Sequence, residues 1–350
     1  MGGGRTMDGN CVRIALDAMG GDNAPAEQVK GAVDAARELK NIKIFLIGDR
    51  SAIERELSAC PDRPQDRLEI IHTTQVIETA EPPVAAIRAK KDSSIVVGLN
   101  MVKRGEADAF VSSGSTGAVL VGGTVIVGRI RGVERAPLGV IIPTKKGQTL
   151  LIDGGANVDA RPSHLLQFAK MGSIYMENIL GIQNPSVGIV NNGAEEDKGN
   201  ALVKETFPLL KNMEEIRFIG SVEPRDIPFG AADVVVCEAF TGNAILKTYE
   251  GTSKVLMSVI KEGMMQSLRS KIGALLVKPA LKNAIRKYDP SQYGGAPLLG
   301  LKGLVVKTHG SAKAGEVKNT VRQCVQFYSS RIPEKIEAAI AEPKEARTDE

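Results

Sequence analysis

The sequence predicts an α/β fold, a mostly parallel sheet with helices on both faces, and three observations predict it. Short apolar runs of strand length alternate with segments of helical period along the 350 residues. Residues 187–190 carry no polar side chain, as expected of a strand buried on both faces. Four strand-like runs end in glycine-rich loops, at residues 17–22 (Asp-Ala-Met-Gly-Gly-Asp), 112–117 (Ser-Ser-Gly-Ser-Thr-Gly), 153–157 (Asp-Gly-Gly-Ala-Asn) and 238–243 (Glu-Ala-Phe-Thr-Gly-Asn). Ligands of such sheets bind at the carboxyl ends of strands. Free backbone N–H groups before a helix suit an anion there, so four junctions of one kind point to a single composite site.

The elements follow in order. Residues 12–16 form a short apolar strand, and Asn23 opens a helix on which Val29, Val33, Ala36 and Leu39 fall at helical spacing. Residues 42–47 are the next strand, closed by Gly48-Asp49; residues 51–57 are helical and 68–71 a weaker strand. Residues 84–91 and 94–103 read as helices separated by Asp92-Ser93. Residues 109–112 deliver the second glycine loop, and 117–127 form a small-residue helix able to pack closely on a sheet. Residues 138–142 and 150–152 resemble a hairpin turning at Lys145-Lys146-Gly147. A helix at 162–180, a strand at 187–190, a polar loop at 191–200 and a helix at 201–211 come next. Residues 217–219 and 234–237 are strands; the second opens the fourth loop, and a long helix begins near Asn243. A late strand at 304–307 precedes His309-Gly310-Ser311, and residues 317–328 and 336–341 are helical.

Composition bounds the rest. A hydrophobic content of 43% with 25% charged residues describes a soluble globular chain. Its length suits one large domain over residues 11–342, or two interleaved ones, with a basic helical excursion at 244–290 and disordered ends at 1–10 and 343–350. Four cysteines show no close pairing, and Cys11 and Cys237 read as small buried hydrophobes. With no disulfide framework, no transmembrane-length apolar run and no secretory signal, the expected location is cytoplasmic.

In the first loop Gly20 and Gly21 permit a tight bend or a close ligand approach, and Asp17 and Asp22 can cap the turns that follow. Ser113, Ser115 and Thr116 with Gly117 make the second loop resemble a phosphate cradle. The third offers Gly154, Gly155 and Asn157, with Asp153 orienting the loop rather than facing an anion. In the fourth, Thr241, Gly242 and Asn243 supply donors and Glu238 an orienting acid or base; Asn243 as a helix cap is the plainer alternative. Arg88, Lys91, Lys198 and Lys307 are the candidate cations, and His309 is placed to donate to phosphate or protonate a leaving group. Neither Gly-x-Gly-x-x-Gly after the first strand nor a nucleotide P-loop occurs, so a nucleotide cofactor is unsupported, and three scattered histidines argue against a histidine-rich metal site. Residues 254–287 carry Lys254, Lys261, Arg269, Lys271, Lys278, Lys282, Arg286 and Lys287 against Glu262 alone, a formal +7 interleaved with aliphatic residues. They read as an amphipathic helical pair, broken or bent at Pro279. Its uses are dimerisation, or docking of an acidic protein or an anionic membrane. Nucleic acid fits poorly, because the stretch has no Phe or Trp for stacking.

Taken together, residues 17–22, 81–94, 112–118, 153–159, 195–200, 241–243, 293–300 and 309–311 resemble, in order, the bacterial phosphate acyltransferase family. Two local departures are Ser113-Gly114-Ser115, where the family commonly has Ala-Gly-Asn, and Glu238-Ala239 in place of Asp-Gly. The resemblance implies a three-layer α/β/α protein related to phosphate acetyltransferases and isocitrate dehydrogenase-like folds. It also implies a homodimer needing no cofactor, which moves a fatty acyl group reversibly from acyl carrier protein to inorganic phosphate. The acyl phosphate would feed glycerophospholipid synthesis through an acyl phosphate:glycerol-3-phosphate acyltransferase, with peripheral membrane association through residues 254–287. The rivals are a non-catalytic phosphate- or phosphometabolite-binding module that recruits an acidic partner, and a dehydrogenase on a related fold, against which the first loop argues.

Overall fold

The computed structural model describes residues 11–286, 288 and 290–340. The expected disordered ends at 1–10 and 343–350, and Lys287, lie outside the described residues. The strands are β1 (Val12–Asp17), β2 (Ile42–Gly48), β3 (Leu68–His72), β4 (Ala109–Ser112), β5 (Val140–Thr144), β6 (Gly147–Ile152), β7 (Ser186–Val190), β8 (Arg217–Val222), β9 (Val234–Val236), β10 (Ala296–Pro297) and β11 (Leu304–Lys307). The helices are α1 (Ala26–Glu38), α2 (Arg50–Ser58), α3 (Pro83–Ala89), α4 (Ser94–Lys103), α5 (Thr116–Gly122), α6 (Pro162–Ile179), α7 (Ala201–Lys211), α8 (Ala239–Met265), α9 (Leu268–Arg286), α10 (Ala314–Ser330) and α11 (Ile332–Ile340).

Where one domain over 11–342 is expected, with two interleaved ones as the alternative, the chain divides into two compact units, each with its own sheet. The first takes in residues up to Gly139, Lys170–Gln183 and the chain from Ser291 onward; the second takes in Val140–Ala169 and Asn184–Pro290.

In the first unit the strand order is β10-β11-β4-β1-β2-β3, parallel except for the antiparallel edge strand β10. The chain moves outward from β1 to β3 and returns to β4 on the other side of β1. Right-handed crossovers therefore place the connecting helices on opposite faces. α1 packs on α10, and α4 packs on α5. Ile14, Leu16, Ile44, Leu46, Phe110 and Val111 are buried between the layers. In the second unit the order is β5-β6-β9-β7-β8, with β5 antiparallel to β6 as the expected hairpin. Val234, Val235 and Val236 are wholly buried, which is why β9 reads as an unbroken apolar run. Ile142, Leu151, Val190, Val222 and Val235 form one cluster, against which Ile245, Leu246 and Tyr249 of α8 pack.

All four glycine loops leave the carboxyl ends of strands β1, β4, β6 and β9. The first two belong to the first unit and the last two to the second. Three expectations are corrected. α8 starts at Ala239, capped by Glu238, so Thr241, Gly242 and Asn243 lie within the helix rather than ahead of it. The basic helical pair breaks between Met265 and Leu268, where Ser267 and Ser270 cap one another, and Pro279 lies inside α9. Cys11 is exposed ahead of β1, whereas Cys237 is buried as expected.

Gly242 is fixed by close approach, since a Cβ there would fall onto the carbonyl oxygen of Asp153. Gly242→Ala should lower stability by about 1–3 kcal/mol through overpacking. Gly251→Ala in the same helix, where a Cβ meets nothing within 4 Å, should be neutral or stabilising. Thermal melts of the two variants give the comparison, and equal melting temperatures would contradict this packing.

Candidate active site

In the first unit the carboxylate of Asp17 closes β1 and is completely buried. It accepts from the Ser112 hydroxyl at 2.6 Å and from the Met19 N–H at 3.0 Å. Burial pushes the Asp17 carboxyl above its ordinary range, and hydrogen bonds from Ser112, Ser94, Met19 and Gly20 work against that rise. Ser112 Oγ also accepts from Gly114 N–H at 2.9 Å, so one serine ties the first loop to the second. A Cβ on Gly20 would collide with the Asp17 carboxylate, so the backbone there passes directly over the acid. The third segment of the cluster comes from the end of β11. Asp22 N–H donates to Gly310 O at 2.8 Å, and the Ser113 and Thr308 hydroxyls lie 2.5 Å apart.

The second-loop hydroxyls therefore divide. Ser113 and Ser115 are turned inward, each 3% exposed, and Ser115 caps α5. Thr116 is exposed beside Gly117. His309 is exposed, and its Nδ1 accepts from the Ser311 N–H at 3.2 Å. The Ser311 hydroxyl lies 2.8 Å from the same nitrogen, so the Nδ1 side of the ring is engaged by Ser311 and Nε2 is the atom turned to a ligand. Lys307 is only 7% exposed and donates to Thr308 O. Burial lowers its pKa from the ordinary 10.5 to about 8, against the pull of Glu316, Asp17 and Asp22. Arg88 and Lys91 are exposed, and Lys91 donates to Ile87 O at 3.2 Å.

The second unit repeats the device. Asp153 follows β6 and is fully buried. Its carboxylate accepts from the N–H groups of Gly155 at 2.9 Å and Ala156 at 2.8 Å on one oxygen. The other oxygen accepts from Asn157 N–H at 2.8 Å and Asn157 Nδ2 at 2.7 Å. Those donors, expected to meet a ligand, point at the acid instead. Glu238 caps α8, accepting from Thr241 N–H at 2.9 Å and from the Thr241 hydroxyl. Thr241's side chain is thus engaged within its own loop, and Asn243 projects from α8 beside Gly155. Burial, with the charges of Glu238 and Asp153, holds the Cys237 thiol well above its ordinary pKa, so it is no thiolate nucleophile.

A cavity of about 570 Å³ opens where β7, β8 and β9 end. Ile189, Val190, Leu165, Leu202 and Cys237 line it, with Asn191, Asn200, Glu223, Arg225, Glu238 and Thr241. Lys198 is exposed in the loop between β7 and α7, and its carbonyl accepts from Asn191 Nδ2 at 3.3 Å. The sequence marks the loop ends but not this cavity, because Leu165 and Arg225 belong to segments with no glycine signature. Among the described residues, no group of three or more His, Cys, Asp or Glu side chains could hold a metal ion.

The fold is that of the phosphotransacetylases. A phosphotransacetylase from Streptococcus pyogenes superposes with a TM-score of 0.60 at 16% identity, over 92% of this chain and 95% of that one. A branched-chain phosphotransacylase from Enterococcus faecalis V583 gives 0.55 at 14% identity, over 91% and 99%. Residues 12–335 match the family model described as fatty acid synthesis protein. A phosphate acyltransferase from Clostridium botulinum is 48% identical over 93% of this chain and 98% of its own length. Another, from Thermoanaerobacterium thermosaccharolyticum, is 48% identical over 89% and 92%. The chain belongs to the phosphate acyltransferase family.

Lys307 gives this site a pH signature. Folded Lys307 releases its proton near pH 8 while the unfolded side chain holds it to about 10.5, so the unfolded state binds more protons in that window. Stability contributed by this group therefore rises with pH between those values, by on the order of 3 kcal/mol in all. Lys307→Met should lack that rise. Denaturation of both proteins at pH 7 and pH 10 measures it, and a wild-type-to-variant difference independent of pH would refute the titration.

Proposed function

We propose that this chain transfers a fatty acyl group from acyl carrier protein to inorganic phosphate, reversibly, releasing the carrier thiol and an acyl phosphate. The observation that carries this reading is 48% identity to a phosphate acyltransferase across nearly the whole chain. The loop chemistry supports it. Asp17, Asp153 and Glu238 each accept from donors of their own loops or of neighbouring ones, so their oxygens are directed at the protein rather than at a phosphate.

A phosphate oxygen attacks the thioester carbonyl, forming the carbon–oxygen bond. The tetrahedral intermediate then breaks its carbon–sulfur bond, and the electron pair leaves on sulfur, which takes up a proton. Phosphate is itself the nucleophile, so no side-chain nucleophile is needed, in keeping with the protonated Cys237 thiol. Within the first unit we assign Thr116, Gly117 and His309 to phosphate; within the second, exposed Lys198 is the cation we assign to the departing sulfur. A well-placed donor to the oxyanion contributes about 3–4 kcal/mol in such transition states.

We further assign the α8–α9 hairpin to docking. Beyond Glu250 it exposes Leu256 at 58%, Leu268 at 79%, Leu275 at 69% and Leu276 at 76% among its cations. Exposed aliphatic surface of this extent marks an interaction site. A second copy of the chain, the acidic carrier and an anionic membrane surface are the occupants we propose. Among the described residues no helix is long and apolar enough to cross a membrane. The acyl phosphate would pass to an acyl phosphate:glycerol-3-phosphate acyltransferase.

Purified protein with palmitoyl–acyl carrier protein should yield acyl phosphate and free carrier only when phosphate is present. Absence of phosphate-dependent turnover across a range of acyl chain lengths would sink the proposal. In the same assay, replacing Lys278, Lys282 and Arg286 by Gln should raise KM for the carrier or reduce sedimentation with anionic liposomes. No change in either would remove the electrostatic role.

A further inference from the structure

The cavity at the ends of β7, β8 and β9 is graded in polarity. Its floor is apolar, with Ile189 fully buried and Cys237 5% exposed. Its walls carry Asn200, and Asn191 whose amide is held by Lys198 O, Ser221 Oγ and Asn192 N–H. Arg225 stands at its mouth with its side chain 76% exposed, paired to Glu223 at 2.9 Å. Glu238 and Thr241, from the fourth glycine loop, close another side. Asn200 Oδ1 caps α7 by accepting from Val203 N–H at 2.9 Å, so Nδ2 is the end of that amide able to meet a ligand.

From this arrangement we infer that the cavity takes the phosphopantetheine arm of the acyl donor, with its phosphodiester at Arg225 and its thioester end toward Thr241. The inference rests on the acyl-transfer reading given above. A volume of about 570 Å³ lies within the range of roughly 300–1,000 Å³ for small-molecule sites. An all-hydrocarbon acyl chain would cover Asn200 Nδ2 without offering it an acceptor, which is costly. The arm instead carries two amides, a hydroxyl and a phosphate along an otherwise aliphatic length, matching the alternation of the lining. The carbonyl to be attacked then arrives beside the loop that Glu238 and Asp153 hold in place.

The test compares three donors carrying the same palmitoyl group: the thioesters of phosphopantetheine, of pantetheine, and of N-acetylcysteamine, which lacks most of the arm. Wild-type enzyme should prefer the pantetheine donor over the truncated one in kcat/KM. Leu202→Trp, which fills the cavity, should lower kcat/KM for both long donors by about 10–100-fold, the range for loss of a fitted pocket. The truncated donor and the KM for phosphate should change little. Arg225→Ala, on an exposed side chain that folding does not depend on, should raise KM for the phosphopantetheine donor and leave the pantetheine donor unaffected. Equal losses for all three donors with Leu202→Trp would place the acyl chain or phosphate in the cavity and overturn the inference. An unchanged preference in a variant with a wild-type melting temperature would overturn it as well. Wild-type turnover with these donors separates such outcomes from failure of the acyl-transfer reading, in which no donor gives acyl phosphate.

Discussion

A buried carboxylate at the end of a strand, hydrogen-bonded by the loop it orders, is the interaction on which the loops of each unit depend. Asp17 and Asp153 are both fully buried, and each is surrounded by short donors from the chain beside it. A carboxyl group in such a place is tolerable only when its oxygens are hydrogen-bonded. That requirement dictates the loop. Ser112 must sit where it bridges Asp17 to Gly114, Gly20 can carry no side chain above the acid, and the N–H groups of residues 155–157 must turn inward. The glycines are present because backbone passes close to an acid or to another backbone, as Gly242 does at the Asp153 carbonyl.

This constraint changes what the loops can do chemically. Many backbone N–H groups that a glycine-rich loop would offer an anion are already engaged by acids of the protein. What remains for a ligand is side-chain chemistry: in the first unit the exposed Thr116 and His309, and in the second, exposed Lys198 and the cavity at the ends of β7, β8 and β9. Phosphate needs positioning more than activation, since it attacks as its own nucleophile. Orientation of bound partners can supply much of the rate in such a reaction.

Much of this was legible in the sequence, for physical reasons. The strands that bury both faces, such as β9 and β7, announced themselves as apolar runs, and the hairpin of β5 and β6 by its Lys-Lys-Gly turn. The orienting role of Asp153 was also readable, because an acid next to two glycines has little else to bond. What escaped were features set by tertiary contact. Lys307 looked like any strand-end lysine, and only the packing around β11 shows that it is buried beside Asp17. By residue type Asn243 is the better cap, yet α8 starts four residues earlier because Glu238 caps it through its longer side chain. Pro279 is the residue type that marks a break in the basic hairpin, whereas a reciprocal serine cap at Ser267 and Ser270 makes it.

If Asp17, Asp153 and Glu238 hold loops in shape rather than take part in proton transfer, Glu238 is where that shows most directly. Glu238→Gln keeps a carbonyl oxygen to accept from the Thr241 N–H but removes the charge. Glu238→Ala removes the cap and should lower stability by about 1 kcal/mol. Phosphate-dependent turnover of palmitoyl–acyl carrier protein, measured for both variants beside their thermal melts, is the measurement. Glu238→Gln should retain turnover close to wild type, and Glu238→Ala should lose both stability and rate. A Glu238→Gln protein that melts like wild type but does not turn over would contradict the loop-holding role and make Glu238 a catalytic acid or base.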